Sequence, residues 1–382
     1  MSQIQGVMAD PVRPSDFYVL GNDSVDISEM VLLRSTDYGA TWVRKRTLRL
    51  ADYDPSASPS ANSVLTSNVI HGSPWGVAID PNPNRNPNTP PTIYTPAGFN
   101  DHGVYKSTDG GETWQQMTAH DTSFEPYRPE GLAAHDFYQV AVVPDNTPNH
   151  ILVTYHYGWK GPTGVFSDSA GLGESLDGGK TWIWHTPPAG MGNSEYVIAL
   201  DATTWITVSN GNGWTGTWRT TTAGRVNGVT NPAAWEKVYN FEHIHGSFQP
   251  TYVDGALYMP GLWNPDPATL NQQMGGVLRS TDKGKTWQPS YTTNAFSYMA
   301  NTVATPSRLY TMNYDQAGGQ PNNCASAPRT NPPVWAAYPC PTGMAGYLPP
   351  YSSAASYDSA GKRALVVLGV GLDIWRLVES AK

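Results

Sequence analysis

The chain has 382 residues and a formal net charge of -8; 39% of its residues are hydrophobic and only 14% are charged. No apolar run approaches the roughly 20 residues that a membrane helix needs, and the negative charge argues against nucleic acid or an anionic membrane as a partner. With 37 glycines, 33 prolines, 14 tryptophans and 21 tyrosines, the composition favours one large core built on aromatic side chains. Few lysines and many serines, threonines and asparagines are typical of a secreted protein, which we expect to be a monomer.

An eight-residue pattern, S-x-D-x-G-x-T-W, recurs along the chain and marks a repeated unit. Its four complete copies lie at residues 35–42, 107–114, 175–182 and 280–287. The longest gap between copies contains a fifth, decayed copy at residues 219–224, which lacks the Asp and is followed after an insertion by Trp235.

Each position of the box has a physical role in a tight hairpin. The Ser and Asp side chains can bond the backbone amides of the turn, and the Gly supplies a positive φ. The Thr returns the chain to a strand, and the Trp buries a large ring against a neighbouring unit. The box therefore predicts a structural turn rather than an active site.

The residues before each box complete a four-stranded meander. In the first unit, apolar runs at 6–11, 17–20 and 31–33 precede the box, and a fourth strand opens on the box Trp; residues 76–81 repeat the first run almost unchanged. Further units start near Val140, Val197, Pro250, Met299 and Ala354.

Seven such meanders, with no stretch of helical periodicity, predict an all-β chain folded as a seven-bladed β-propeller of four-stranded antiparallel blades over residues 1–382. A β-sandwich array is the alternative, but it would not explain one Trp-bearing turn at the same place in each unit. The last unit offers only three clear strands, so the sequence leaves the closure of the seventh blade open.

The two cysteines, Cys324 and Cys340, both lie in a Pro-rich insertion of the sixth unit. A disulfide between them would close a short loop that has no regular structure of its own. Two free thiols are the alternative, and the secretion argument favours the disulfide. No signal peptide is visible, so we expect Met1 to begin a trimmed chain.

The boxes S-T-D-Y-G-A-T-W, S-T-D-G-G-E-T-W, S-L-D-G-G-K-T-W and S-T-D-K-G-K-T-W resemble the Asp-box, or neuraminidase repeat. This repeat occurs in sialidases, xyloglucan-active hydrolases, sortilin-type receptors and several propeller polysaccharide lyases. The resemblance covers nearly the whole chain and implies the propeller fold, but it is not specific for a chemistry.

In a propeller the box hairpins lie on one face, whereas the loops between second and third strands and between blades lie on the other, around the central channel. The second set of loops is therefore the candidate site. The connections between blades hold His71, Arg128, His135, His243 and His245. The loops between second and third strands hold Asn100, Asp101, His102, His156, Trp159, Asn212, Trp214, Trp263, Tyr314 and Asp315.

Each of these residues also has a purely structural interpretation. A single His beside an inner strand is more often a packed residue that bonds a carbonyl, but several around one channel mouth favour function. The aromatic residues could be ordinary packing between blades, or faces on which sugar rings stack.

Three enzyme chemistries need different residues. A sialidase requires an Arg cluster and an R-I-P motif near the N-terminus, and the motif is absent. A hydrolase of the xyloglucanase type needs two facing carboxylates; Asp101, Asp136, Asp266 and Asp315 are available, but none is singled out. A polysaccharide lyase needs a group that neutralises a uronate carboxylate, a base and an acid, and the His, Tyr, Arg and Asn residues of these loops suit those roles.

The sequence thus favours a lyase that cleaves an acidic, uronic-acid-containing glycan by β-elimination, similar to ulvan and rhamnosyl-glucuronate lyases. A glycoside hydrolase is the runner-up, and a non-catalytic glycan-binding propeller is a third interpretation. No cofactor is required by the sequence. A cation, held for example by His243 and His245, stays an alternative.

The lyase hypothesis assigns roles as follows. One of His71, His135, His245 or Tyr314 removes the proton, and another of these groups protonates the leaving oxygen. Arg128 and Asn100 neutralise the carboxylate. Substrate binding is assigned to Asn100, His102, His156, Trp159, Asn212, Trp214 and Trp263.

Overall fold

The protein is an all-β propeller. The computed structural model describes residues 3–22, 30–45, 64–65, 77–97, 103–117, 137–145, 147, 149–155, 159–160, 166–167, 171–185, 187–191, 193–210, 216–242, 250–263, 274–293, 297–315, 324–338, 350–357, 363–370 and 373–380. Among these residues no helix is long and apolar enough to cross a membrane.

The first three blades follow one another along the chain. Blade 1 consists of β1 (Gln3–Ala9), β2 (Phe17–Asn22), β3 (Met30–Ser35) and β4 (Val43–Arg44). Blade 2 consists of β5 (Val64–Leu65), β6 (Ala78–Ile79), β7 (Ile93–Ala97), β8 (Gly103–Ser107) and β9 (Trp114–Gln116), with β5 added outside β9. Blade 3 consists of β10 (Phe137–Val142), β11 (Ile151–Tyr155), β14 (Gly171–Ser175) and β15 (Ile183–His185), with the hairpin β12 (Trp159–Lys160) and β13 (Phe166–Ser167) inserted.

Three further blades have the same antiparallel order. Blade 4 consists of β16 (Asn193–Ala199), β17 (Trp205–Asn210), β18 (Gly216–Thr220) and β21 (Glu236–Tyr239), with the hairpin β19 (Arg225–Val226) and β20 (Val229–Thr230) and a 3₁₀ turn (Pro232–Ala234) inserted. Blade 5 consists of β22 (Phe241–Glu242), β23 (Thr251–Val253), β24 (Ala256–Trp263), β25 (Met274–Ser280) and β26 (Gln288–Thr293). Blade 6 consists of β27 (Ser297–Ala304), β28 (Arg308–Asp315), β29 (Cys324–Pro328) and β30 (Ala336–Tyr338).

The last sheet has three strands: β31 (Pro350–Tyr357), β32 (Arg363–Val370) and β33 (Asp373–Ser380). The described residues thus form six blades of at least four strands instead of the seven that the repeats predict, so the predicted number of complete blades is wrong. The physical reason is visible in the sequence, because the last unit has only three apolar runs.

Apolar side chains fill the spaces between consecutive sheets. Blade 1 meets blade 2 through a buried cluster that contains Tyr18, Leu32 and Trp114, and the same arrangement continues around the molecule. The last sheet contacts blade 6 through Trp375 and blade 1 through Ile374. The core therefore lies between the sheets rather than within a single layer.

The box turn is held by its own side chains, as predicted. In blade 2 the amide of Gly111 donates to Ser107 Oγ at 2.8 Å, and the amide and hydroxyl of Thr113 donate to the two carboxylate oxygens of Asp109 at 2.9 and 2.6 Å. The other complete boxes repeat these bonds. In the decayed box, Thr220 Oγ1 accepts hydrogen bonds from the backbone amides of Thr222 and Gly224. The bonds that the box Ser would make are therefore retained, although the Asp is absent.

All the box turns lie at the end of the blades that carries the turn between first and second strands. The Tyr38 amide donates to the Ser15 carbonyl at 2.9 Å, and the Gly178 amide donates to the Asn149 carbonyl at 2.9 Å. The box Trp residues pack between blades, with Trp114 and Trp287 buried and Trp42 and Trp182 half-buried. Both findings agree with the prediction that the boxes face away from the candidate site.

Candidate functional site

The candidate site is the end of the propeller opposite the boxes. Its rim is formed by the starts of the first strands and the ends of the second strands, for example the start of β16 and the end of β28. These strand ends also flank the segments from which the sequence predicts a site. We call this region the loop end and the opposite region the box end.

Most of the predicted site residues cannot be placed. His71, His135, His245, Arg128, Asn100, His102, His156, Asn212 and Trp214 lie outside the described residues. Their roles stay predictions.

Three predicted residues fall on strands at the loop end. Tyr314 lies one residue before the end of β28, opposite Tyr298 of β27, and Trp159 lies in the short strand β12, opposite Ser167. Trp263 is the last residue of β24, and its ring is fully buried in the cluster between blades 4 and 5. Its indole nitrogen has no hydrogen-bond partner among the described residues. Its predicted contact with substrate stays a prediction.

The first strands share an irregularity at this end that the sequence patterns did not reveal. In five sheets the pairing of the first strand with the second slips by one residue close to the start of the first strand. The extra residues are Gln5, Tyr138, Glu195, Ala300 and Tyr351. Such β-bulges bend the strand and re-aim a side chain, and they are frequent beside active sites.

Hydroxyl side chains are buried in the core near the loop end of three blades. Ser194 and Thr207 are buried on facing strands of blade 4 and their hydroxyls bond to each other. Thr95 and Thr154 are likewise buried near the ends of β7 and β11. Buried hydroxyl side chains therefore occur near the loop end of blades 2, 3 and 4.

Several ion pairs of the described residues lie at the box end. Asp16 bonds Arg34 there, and Glu174 bonds His150, His185 and Arg225. A cavity of about 410 Å³ also lies at this end, between residues 80–84 of blade 2 and 142–149 of blade 3. Within the described part of the chain, no group of three or more His, Cys, Asp or Glu side chains is arranged to hold a metal ion.

The predicted disulfide is not tested by these residues. Cys324 is buried in β29, whereas Cys340 lies outside the described residues. No free cysteine occurs in the described ranges.

Comparison with known proteins identifies the repeat and a group of enzymes. Residues 105–116 match the BNR/Asp-box repeat family. The chain is 34% identical over 107 residues to Xyloglucanase Xgh74A of Acetivibrio thermocellus, a match that covers 27% of this chain and 11% of the relative. It is 26% identical over 332 residues to a xyloglucanase of a Paenibacillus species, covering 79% of this chain and 28% of the relative. The chain thus spans only a fraction of the length of these relatives.

Solved structures support the fold. An ancestral GH74 enzyme superposes with a TM-score of 0.54 at 17% identity, covering 98% of this chain and 44% of that one. A puromycin-hydrolysing peptidase of Mycobacterium tuberculosis gives a TM-score of 0.53 at 10% identity, covering 96% and 51%. Two enzymes of different chemistry superpose almost equally well, so structural similarity at this level shows the fold alone.

The lyase prediction is wrong. The sequence relatives are xyloglucanases, which are glycoside hydrolases, and none of the comparisons described above gives a polysaccharide lyase. The physical reason for the error is that His, Tyr, Arg and Asn suit several reactions, so their presence in loops does not identify one. The chain is a β-propeller with BNR/Asp-box repeats, and its sequence relatives hydrolyse a polysaccharide.

Proposed function

We propose that this chain forms all or part of a glycoside hydrolase that acts on a polysaccharide of the xyloglucan type. The observation that carries the proposal is the similarity to a xyloglucanase over an alignment of 332 residues, which covers 79% of this chain. The bulges at the loop end are consistent with a glycan-binding cleft at the channel mouth.

The chemistry requires two carboxyl groups on either side of the scissile bond, one to protonate the leaving oxygen and one to act as base or nucleophile. Sequence analysis offers Asp101, Asp136, Asp266 and Asp315 for these roles. Asp315 ends β28 at the loop end, and the other three lie outside the described residues.

The histidines and aromatic residues acquire different roles in a hydrolase. No proton α to a carboxylate is removed, so His71, His135, His245, Tyr314 and Arg128 would bind hydroxyl groups or orient the carboxyl groups. The substrate was predicted to be acidic because β-elimination requires a uronic acid. Hydrolysis has no such requirement, so the prediction of an acidic substrate no longer has a basis.

We also infer that the last sheet serves as the seventh blade, which makes residues 1–382 one domain. Its first strand contacts the first strands of both blade 1 and blade 6, as a blade in a closed ring would. Secretion of the protein and the Cys324–Cys340 disulfide belong to the same proposal. An enzyme that degrades extracellular polysaccharide acts outside the cell, where disulfides persist.

The test is incubation with xyloglucan, other β-glucans and uronic-acid polysaccharides, with reducing ends and ultraviolet absorbance measured together. Hydrolysis predicts new reducing ends without the absorbance of a conjugated double bond. Absorbing products would overturn the proposal in favour of elimination. Binding by calorimetry without new reducing ends would instead identify a glycan-binding propeller.

A further inference from the structure

One blade differs from the others in the residue directly before the box. In blades 1, 2 and 5 this residue is a cation over a Tyr ring of the second strand: Arg34 over Tyr18, Lys106 over Tyr94 and Arg279 over Tyr258. In blade 3 it is Glu174, which lies opposite Leu152 and is buried. The sign of the charge is therefore reversed in this one blade.

Glu174 is surrounded by donors from two blades. Its carboxylate meets His150 Nε2 at 3.0 Å and His185 Nε2 at 2.8 Å within blade 3, and it binds Arg225 of blade 4. Arg225 follows the decayed box of blade 4, which has lost the Asp that would close its turn. The Glu174–Arg225 ion pair thus joins that turn to blade 3. Trp205 of blade 4 packs edge-on against the rings of His150 and His185.

The geometry fixes the charge of His150. Its Nδ1 lies 2.7 Å from Asp145 Oδ2 and its Nε2 lies 3.0 Å from Glu174 Oε1, so both ring nitrogens face carboxylate oxygens that only accept. Both nitrogens must then carry protons. Asp145, Glu174, His150 and Arg225 together balance to zero, which a buried cluster requires.

We propose that His150 is a buried imidazolium that completes the joint between blades 3 and 4, and that loss of its proton as pH rises loosens this joint. Deprotonation would leave two carboxylates with Arg225 alone and point a ring lone pair at one of them. On the blade 2 side, Lys106 bonds Asn149 next to His150. Asp145 also borders the 410 Å³ cavity.

The sign of the pH dependence follows. Burial alone lowers the pKa of His150, but hydrogen bonds to Glu174 and Asp145 raise it above its usual 6.5. A group with a raised folded-state pKa stabilises the fold fully below its unfolded pKa, and this stability is lost as pH rises through the folded pKa. Burial raises the pKa of Glu174, whereas bonds from His150, His185 and Arg225 lower it strongly, so Glu174 stays ionised throughout this range.

The test is the thermal midpoint of the wild type and of His150→Gln at pH 6 and at pH 9. At pH 6 the thermal midpoint of the wild type should be about 2 to 4 °C above that of His150→Gln. At pH 9 the difference between the two proteins should be smaller. The matched control is His185→Gln. His185 Nε2 contacts the other oxygen of the same carboxylate at 2.8 Å, so this variant removes one partner of Glu174 and leaves His150 between its two carboxylates.

Nitrogen-15 NMR of the wild-type histidines gives a second readout that needs no variant. Two protonated ring nitrogens on His150 at pH 6 and above would support the proposal even if His150→Gln fails to fold. A neutral His150 at pH 6, or a midpoint difference that is the same at pH 6 and pH 9, would overturn it.

Discussion

The two ends of the propeller are formed by the same strands but differ in how those strands are held together. At the box end each complete turn is closed by bonds among eight consecutive residues, and blade meets blade through Trp rings and ion pairs. At the loop end five of the described first strands begin with bulges, and hydroxyl side chains are buried near the strand ends of blades 2, 3 and 4. Among the described residues, the difference teaches that each box turn carries its own stabilising bonds, whereas the loop end is marked by slipped strand pairing.

The largest expected effect at the box end comes from Trp114. Its ring is buried between blades 1 and 2, so Trp114→Ala should lower the free energy of unfolding by about 3 to 5 kcal/mol. Urea denaturation measures this, with Trp42→Ala as the control. Trp42 is half-buried at the same box position, so its loss should be smaller. Equal losses would contradict the role assigned to burial between blades.

A second prediction concerns the close approach of the box to the preceding blade. Gly111 has a φ of +93°, and a Cβ added there would lie 1.9 Å from Leu32 Cδ2 of blade 1. Gly228 has a φ of +81° with nothing within 4 Å of an added Cβ. Both Ala variants share the backbone strain, so Gly111→Ala should cost about 1 to 3 kcal/mol more than Gly228→Ala. Equal thermal midpoints of the two variants would show that Leu32 of blade 1 moves to accommodate the added methyl group without loss of stability.

The smallest effect is expected from the box carboxylate. Asp109→Ala should cost about 0.5 to 2 kcal/mol, as for a helix-capping Asp that bonds backbone amides. Burial raises the pKa of Asp109, but bonds from Thr113, Ser107 and Glu112 lower it below 3.8 overall. Its stabilisation is therefore present above about 3.8 and lost as pH falls further.

Acid denaturation checks this sign. Between pH 5 and pH 3, the wild type should lose more stability than Asp109→Ala does. Thr222→Ala, at the same position of the decayed box, should change stability by no more than about 0.5 kcal/mol. Parallel acid profiles for Asp109→Ala and the wild type would contradict the assignment.

Local features were predictable from the sequence because they depend on neighbours in the chain. The box bonds and the decayed fifth box follow from runs of fewer than ten residues, and the short last unit follows from its three apolar runs. Glu174 shows the limit. Its position could be recognised as the one before the box, and the sequence shows the reversed sign, but its partners His150 and Arg225 come from distant segments.

The function was harder to predict for a related reason. The loops showed which residue types lie at one end but not which of them meet, and the same types serve elimination, hydrolysis and binding. The bulges in the first strands have no sequence signature, since their extra residues are Gln, Tyr, Glu and Ala.

By itself the sequence determined the repeat, the turn chemistry and the end at which the boxes lie, because hydrogen bonds within a turn and strand periodicity are short-range. Only the tertiary structure decided the contacts of the last sheet with blades 1 and 6, the slipped pairing of the first strands and the charge balance around Glu174. Those features depend on which strands pair and on which side chains are buried together. Neither can be deduced from how far apart the residues lie in the sequence.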